Sequence, residues 1–591
     1  MDKYIEIENQ LNVDFLSCKK KKNLLSNFRL LFFVFTTILS YYYFTDFILI
    51  YLFLGLISLI LFLFFVSKSV KCTKQLLFIN DQLLVLSEIK IDDKIDLYSD
   101  LNDKYFSNIY NKDLDILDRT SLFNRINKTQ SYVGNFRLKH FLSHLLLNKE
   151  DILNRQKSIE ELAEKHEWNL NFLTLSKRVN LDRFVIFKSF DRQFKNYALR
   201  FIPLIYSVLN LFVFVFLAIN GFEKKGVFFW VVSVVVVSFL VNLFFKSRIN
   251  KTLSYSFINA FQLENLIELV ECVENVEFKA GLNNQISGYF ENDGVKASTQ
   301  LKKVRSAIGG LDALGFPIVG FVLNNFFLWK LYHVIQFENN VSQVIENNKK
   351  WIEGISILEA LISFSIFNEK NESFTKPEIS DLVNDFVLEE AFHPLLDYKT
   401  AVKNTFKSNR AHNISIITGA NMAGKSTFLR TIGVNLVLAM NGVNVSAEKM
   451  KFFPMDIFTS IRTVDNLASG DSYFKNEINK LKLLIERLDS SKPQFIILDE
   501  ILKGTNSKDK LIGSQKFLEK LIKSKASLIC FIATHDLELT KLEELYPLNV
   551  INYCFELKNV DDNFFSDYKL RKGTTEVMNA IFLLKKFNII E

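Results

Sequence analysis

Four uninterrupted apolar runs limit what this chain can fold into. Leu30–Thr45 and Phe47–Val66 hold no charged residue and are separated only by Asp46. Phe201–Phe222 and Gly226–Phe245 form a second pair, separated by Glu223, Lys224 and Lys225. A membrane span needs about 20 mainly apolar residues. The last three runs meet that length, and the first does so by recruiting Phe28 or letting Arg29 snorkel to the headgroups. A buried core helix keeps a polar face, whereas "WVVSVVVVSFLVNLFF" is apolar all round. The runs therefore pair into two membrane hairpins, over residues 29–67 and 201–246.

Charges beside the runs predict their orientation. Lys19 to Lys22 and Arg29 precede the first pair, and Lys68, Lys71 and Lys74 follow it. Arg192, Lys195 and Arg200 precede the second pair, and Lys246, Arg248 and Lys251 follow it. The positive-inside rule puts all these flanks in the cytoplasm and two short turns outside. The expectation is an integral protein of the inner or plasma membrane with most of its mass cytoplasmic. The lysine run with the first apolar run imitates a secretory signal, but no small-residue cleavage site follows. Orientation or anionic-lipid contact also explains those lysines better than nucleic acid does. The net charge of +7 is dispersed and gives no separate case for nucleic acid. Five scattered cysteines without a C-x-x-C argue against a disulfide framework or zinc site and fit a reducing compartment.

The remaining chain divides accordingly. A cytoplasmic tail (1–28) precedes the first hairpin, and helical segments over 68–200 and 247–375 flank the second. Leu263, Leu266, Ile267, Val270 and Val273 recur at helical spacing, as do Trp351, Ile355, Leu358 and Ile362. Both stripes predict helix packing. Leu314–Trp329, apolar but short and interrupted by Asn324 and Asn325, predicts a buried helix, with a re-entrant segment as the alternative. His140 and His144 sit four apart, as two ligands on a helix would, but no third donor lies nearby and packed or exposed histidines are favoured. After the polar stretch "NEKNESFTKPEISD" the pattern changes to short β-branched runs between helices, as in a parallel sheet. A last domain over 376–591 follows.

That domain carries the chemistry. "NISIITG" predicts a buried strand, "KSTFLRTIGVNLVL" a helix, and between them Gly419-Ala420-Asn421-Met422-Ala423-Gly424-Lys425-Ser426 fits G-x-x-x-x-G-K-[ST], with Thr427 following. The glycines let backbone N–H groups approach phosphate oxygens, and the helix N-terminus favours an anion. Lys425 is placed for the β/γ-phosphates and Ser426 for Mg²⁺. "QFIILDE" predicts a strand ending in Asp499, a second Mg²⁺ ligand, and Glu500, which would orient or deprotonate the attacking water. "LICFIATHD" predicts another strand, ending at His535, well placed to sense a γ-phosphate. "DNLASGDSYF" reads as a loop opening a helix, with Ser472 an anion contact at its start.

The succession "ITGANMAGKSTFLRTIG", "GVNVSAE", "DNLASGDSYF", "FIILDEILKGTNSKD" and "FIATHDLELTKL" resembles the nucleotide domain of the MutS family. "FHPLL…AVKN" just upstream resembles the same family, as do, more weakly, "LDRTSLFNRINKTQSYVGNFRLKHF…" and "WIEGISILEALISFSIFNEKN". The resemblance implies an α/β P-loop ABC-type ATPase domain beside an all-α core and lever region, here interrupted by transmembrane hairpins. It implies an ATPase using ATP and Mg²⁺, dimerising head to tail, with Asn421 against the phosphates and His535 as a switch. It implies that Ser472 and Gly470 reach the partner's ATP and that Asp509 lies at the dimer seam. Family members that read mismatches carry an N-terminal Phe-x-Glu wedge, whereas here a membrane hairpin occupies that space. Gly-Arg-Gly-Thr becomes Leu502-Lys503-Gly504-Thr505, and the aromatic that stacks on adenine becomes Ala401. The expectation is a membrane-anchored ATP-driven switch, related to mismatch repair and binding DNA without base readout. The alternative is a membrane motor or remodeller with no nucleic-acid substrate.

Overall fold

The computed structural model describes residues 2–94, 96, 106, 108–118, 120–179, 199, 201–255, 260–408, 413–461, 473–489, 492–503, 505–560 and 563–575. Two long helices open the chain, α1 (Asp2–Asp46) and α2 (Leu49–Lys90), paired as an antiparallel hairpin. At 1.5 Å per residue α1 is about 67 Å long, twice the hydrocarbon thickness of a bilayer. The outer half carries the apolar runs with most side chains exposed. Phe65 stacks on Phe28 and Phe32, with ring centroids 5.2 and 5.4 Å apart. The inner half enters the protein core, where Tyr4, Val85, Leu86 and Ile89 are buried.

Residues 1–28 are thus no separate tail. From Asp2 they form the same helix as the first apolar run, because Tyr4, Ile7, Leu11, Phe15 and Cys18 make a stripe at i, i+3, i+4 spacing that packs on α2 and the body. The short first run is continuous with Phe28 and Arg29 in this helix.

Helices α3 (Tyr132–Ser143), α4 (Lys149–Ala163), α5 (His166–Arg178), α8 (Ala260–Glu274) and α9 (Ala297–Asp312) make up much of the helical body. Between α5 and α8 come α6 (Phe201–Ile219) and α7 (Lys224–Phe244), the second apolar hairpin. After α9 the chain bends by 118° into α10 (Pro317–Phe327). It then passes Leu328, in the left-handed region (φ 49°), and enters α11 (Trp329–Lys370). The expectation of a buried helix over Leu314–Trp329 is overturned: only Gly320 of α10 is buried, and Phe316, Ile318 and Phe321 face outward. The run is too short to wrap in protein and lies against α6 and α7 instead.

Helix α11 is apolar enough to pass as a span by composition, but 78% of its most apolar window is buried in the protein. Trp351, Ile355, Leu358 and Ile362 form its inner face, as their spacing predicts. Glu359 beside them is fully buried and accepts hydrogen bonds from the N–H groups of Gln130 (2.7 Å) and Ser131 (3.0 Å) and from the Ser131 hydroxyl (2.6 Å). Its carboxyl, pushed up by burial against these hydrogen bonds, lies at the N-terminus of α3, where the helix exposes unpaired donors.

The C-terminal domain has two sheets. The smaller, in the order β1 (Glu378–Ile379), β5 (Lys449–Phe452), β2 (Phe386–Ala391), β3 (Asn404–Lys407), backs onto the helical body. The larger comprises β4 (Ile414–Gly419), β6 (Asp456–Ser460), β7 (Gln494–Asp499), β8 (Leu528–Ala533), β9 (Val550–Val560) and β10 (Asn563–Lys572), in the order β10-β9-β4-β8-β7-β6. All neighbours are parallel except β9 and β10. Helices α12 (Lys425–Met440), α13 (Tyr473–Leu488) and α14 (Ser507–Ile522) connect them. The strands read as continuous apolar runs because both faces of this sheet are covered. One core runs through the helical body into the domain, from Leu361 to Ile417 and Phe531. The chain is therefore helix-rich with mixed α/β sheets at its C-terminus.

Candidate active site

Strands β4, β8 and β7 are adjacent and parallel, so their carboxyl ends lie on one edge. This topology brings together residues far apart in sequence, at the edge where open α/β sheets bind ligands. At the end of β4, Gly419 has φ +147°, and a Cβ there would stand 2.7 Å from the Phe555 carbonyl oxygen. Gly424 has φ +110° and precedes the first turn of α12. Between them Ala420 and Ala423 are buried and Met422 is exposed at the loop tip.

The Lys425 ammonium is buried and donates to the carbonyls of Gly419 (2.7 Å) and Ala420 (2.9 Å). Burial pushes it down to about 8 from the usual lysine range, against the attraction of Asp499 and Glu500. The Ser426 hydroxyl donates to the Asp499 carboxylate at 2.7 Å. Glu500 follows with φ 51°, and its Oε1 lies 2.8 Å from His535 Nε2. That hydrogen bond, ahead of the nearby Lys503 charge, holds the Glu500 carboxyl at about 2. Lys425 Nζ is 3.3 Å from the same ring nitrogen. A neutral imidazole Nε2 that donates to Glu500 cannot also accept from Lys425, so the histidine chooses between them.

These groups face a cavity of about 720 Å³, into which Asn421 and Thr427 also project. The glycine-lined loop, the helix start and the Lys425 ammonium suit an anion, and the Ser426–Asp499 oxygens suit a hard divalent cation. Gly470 and Ser472 lie outside the described residues, as does Gly504. Asp509 sits away from the cavity in the first turn of α14, which Asn506 caps. His140 and His144 stack face to face at 4.2 Å, and burial pushes His140 down to about 4. Among the described residues no cluster of three metal-ligating side chains occurs.

Two residues of this site are not evident from local sequence. Ala401 lines the cavity as expected, and Tyr568 from the β9–β10 ribbon lines it too. Asn404 accepts from Leu570 N–H and donates to the Tyr568 carbonyl (2.8 and 2.9 Å), while Ser566 donates to the Ala423 carbonyl at 2.9 Å. The ribbon is thereby tied to the loop. On α13, Glu477 is buried and accepts the backbone N–H groups of Leu502 and Lys503, just after Glu500. The signal was a glutamate one turn into the helix after the serine-rich loop, but its partner lay in another segment.

The model of MutS domain V matches residues 415–585. MutS protein homolog 4 of Mus musculus is 31% identical over 267 residues, covering 43% of this chain and 27% of that protein. DNA mismatch repair protein MutS of Protochlamydia amoebophila is 31% identical over 263 residues, 43% of this chain and 30% of the relative. The same-named protein of Finegoldia magna is 26% identical over 505 residues, 77% of this chain and 56% of the relative. The chain thus spans between about a quarter and somewhat over half of the length of these relatives. The domain match contains the loop, the acidic pair and the histidine just described, and the longest alignment extends into the helical body: residues 415–585 are a MutS domain V, and the chain is similar to MutS proteins beyond it.

Proposed function

We propose that this chain is a membrane-anchored P-loop ATPase of the ABC type, which binds and hydrolyses ATP at head-to-tail dimer interfaces to switch its helical levers between two arrangements. The convergence of Lys425, Ser426, Asp499, Glu500 and His535 on one cavity carries this reading. Residues 419–427 cradle the phosphates, and Lys425 trades its loop carbonyls for phosphate oxygens. Ser426 and Asp499 would hold Mg²⁺, which neutralises phosphate charge. A carboxylate held as acidic as Glu500 is a weak base, so its role is to accept a hydrogen bond from water and aim it. His535 releases or retains Glu500 by choosing its partner. Ser472 and Gly470 would complete the partner's site, as the resemblance of their motif to the MutS family implies.

The four apolar helices anchor the chain in the inner or plasma membrane, with the rest cytoplasmic. Their length, exposure and flanking lysines and arginines support this. Relatives named for DNA mismatch repair suggest a DNA client. A second reading, a motor acting on the membrane without nucleic acid, is favoured by one observation: the far end of α11 carries α6, α7 and α10, whose outer surface is phenylalanine- and valine-rich.

ATP hydrolysis by the detergent-purified protein, with and without duplex DNA and with Glu500→Gln as the blank, tests both. Turnover that DNA alters and the variant abolishes supports a DNA-linked switch. Turnover indifferent to DNA removes that client and leaves the membrane. No turnover above the blank sinks the ATPase reading.

A further inference from the structure

Helix α10 ends where a helix in water would simply be solvated. The last four carbonyls of a helix have no partner within it. Here the carbonyls of Asn324, Asn325 and Phe326 each receive a side-chain donor from the second hairpin, and that of Asn324 also accepts the Leu328 N–H at 3.1 Å. The Ser238 hydroxyl reaches the Asn324 carbonyl at 3.2 Å, and the Tyr206 hydroxyl reaches that of Asn325 at 2.8 Å. The Asn210 amide reaches Phe326 at 3.2 Å, while the Ser207 hydroxyl, 3.4 Å from the Phe327 carbonyl, gives its proton to the Pro203 carbonyl at 2.7 Å. The two asparagines of α10 are satisfied locally. Asn325 donates to the Phe321 carbonyl at 2.8 Å, and Asn324 accepts from Lys330 N–H at 3.3 Å. Meanwhile the outer side of α10 is apolar, with Ile318 82% exposed and Phe316 and Phe321 more than half exposed. Side-chain capping of a helix end beneath an apolar surface suits a lipid environment, because irregular backbone there must be satisfied by protein.

We propose that α10 is a re-entrant helix that dips into the same bilayer leaflet as the cytoplasmic half of the second hairpin, its outer face against acyl chains. This rests on the anchoring proposed above. Eleven residues rise about 16 Å, half the hydrocarbon thickness, so α10 enters without crossing. Its apolar surface is continuous with that of α6 and α7, where Trp230 meets Phe326 edge-on at 5.4 Å. Because α10 passes through Leu328 directly into α11, the helix leading to domain V is seated in the membrane at its far end. Arg248, just past α7, forms an ion pair with Glu338 of α11 and secures that seat from the cytoplasmic side.

The test uses the full chain in phosphatidylethanolamine–phosphatidylglycerol vesicles, with a fluorophore on single added cysteines. Four native cysteines are buried and Cys272 is partly so, and the unsubstituted protein supplies the background. Ile318→Cys and Phe321→Cys report on α10, Phe212→Cys on the second hairpin, and Leu548→Cys on water-exposed domain V. Lipids carrying a doxyl group on the acyl chain are expected to quench the α10 and hairpin labels alike, several-fold more than the Leu548→Cys label. A quenched hairpin with both α10 labels behaving like Leu548→Cys overturns the re-entrant helix and leaves the anchor standing; α10 then faces a second copy or a soluble partner. An unquenched Phe212→Cys label removes the anchor, and the inference with it.

Discussion

At the Glu500–His535 contact, one hydrogen bond decides the charge state of the group that faces water. Removing it by His535→Ala frees Glu500 from the partner that holds it near 2 and leaves it to lysines alone, among them Lys503 at 3.8 Å. We expect turnover to fall about 100-fold, the scale for a positioned proton-handling group, with ATP affinity changed much less. A loss confined to affinity would assign His535 to binding instead. Lys425 gives a pH signature of its own. Its ammonium is present below about 8 and is lost as pH rises through that value. The terminal phosphate, with a second pKa of about 6, is ionised throughout that range. Affinity for the triphosphate should therefore weaken between about pH 7 and pH 9, whereas an unshifted lysine, with a pKa of about 10.4, would give a flat profile there. Calorimetric titration with ATP across the range separates the two. Tyr568 carries a third expectation. Ala401 offers no aromatic face, and the tyrosine from the ribbon is the exposed aromatic in the same cavity wall. Stacking on a base contributes about 1–3 kcal/mol. Tyr568→Ala should then weaken ATP binding roughly 5- to 100-fold while leaving inorganic triphosphate binding unchanged. The loop, the acidic pair and the histidine were legible because each sits at a strand end in a local pattern. Tyr568 and Glu477 were not, since their contacts run between strands and segments that only the folded sheet brings together.

Elements were legible where their periodicity or length was extreme. The four apolar runs became helices with their apolar surfaces outward, and the α11 stripe became its buried face. Two elements were misjudged for opposite reasons. In residues 2–28 the charges drew attention and hid the stripe from Tyr4 to Cys18, so a helix base looked like a tail. In Leu314–Trp329 the asparagines looked like an interruption that only a protein interior could absorb. Their side chains instead close on nearby backbone, and the carbonyls around them are capped from α6 and α7. No sequence window contains those donors and acceptors together. Tyr206 has one hydroxyl proton to give, and the Asn325 carbonyl at 2.8 Å is nearer to it than the Val234 carbonyl at 3.0 Å. Tyr206→Phe keeps the ring and removes the donor, leaving a carbonyl unpaired at a cost of about 1–3 kcal/mol. The expected readout is a lower midpoint of thermal unfolding in detergent, with faster proteolysis between α9 and α11. Equal stability would mean that water reaches this helix end.

At the scale of the molecule, three successive residues at the end of α11 hold three different parts. The Asn368 side chain accepts the Asn444 N–H at 3.0 Å, from the loop after α12. Glu369 lies 3.3 Å from His166 at the start of α5, and burial raises its carboxyl to about 7. Lys370 donates to the carbonyls of Lys90 and Ile91, both at 3.0 Å, and to Asp92 at 3.1 Å, at the end of α2. Lys370 thus offers a direct link from the domain V end of α11 to the base of the first hairpin, while the other end of α11 is held by the second. An amine at a helix C-terminus also favours that end of α2 electrostatically. Lys370→Met removes the tie without touching the nucleotide cavity. Spectroscopic distances between labels at Phe44→Cys, on the outer end of the first hairpin, and Leu548→Cys, in domain V, should shift with ATP in a Glu500→Gln background. With Lys370→Met added, the shift should shrink by at least half while ATP binding is kept. A shift that persists unchanged means that domain V reaches the hairpin by another route, and no shift in either protein means that ATP does not move the membrane segments at all.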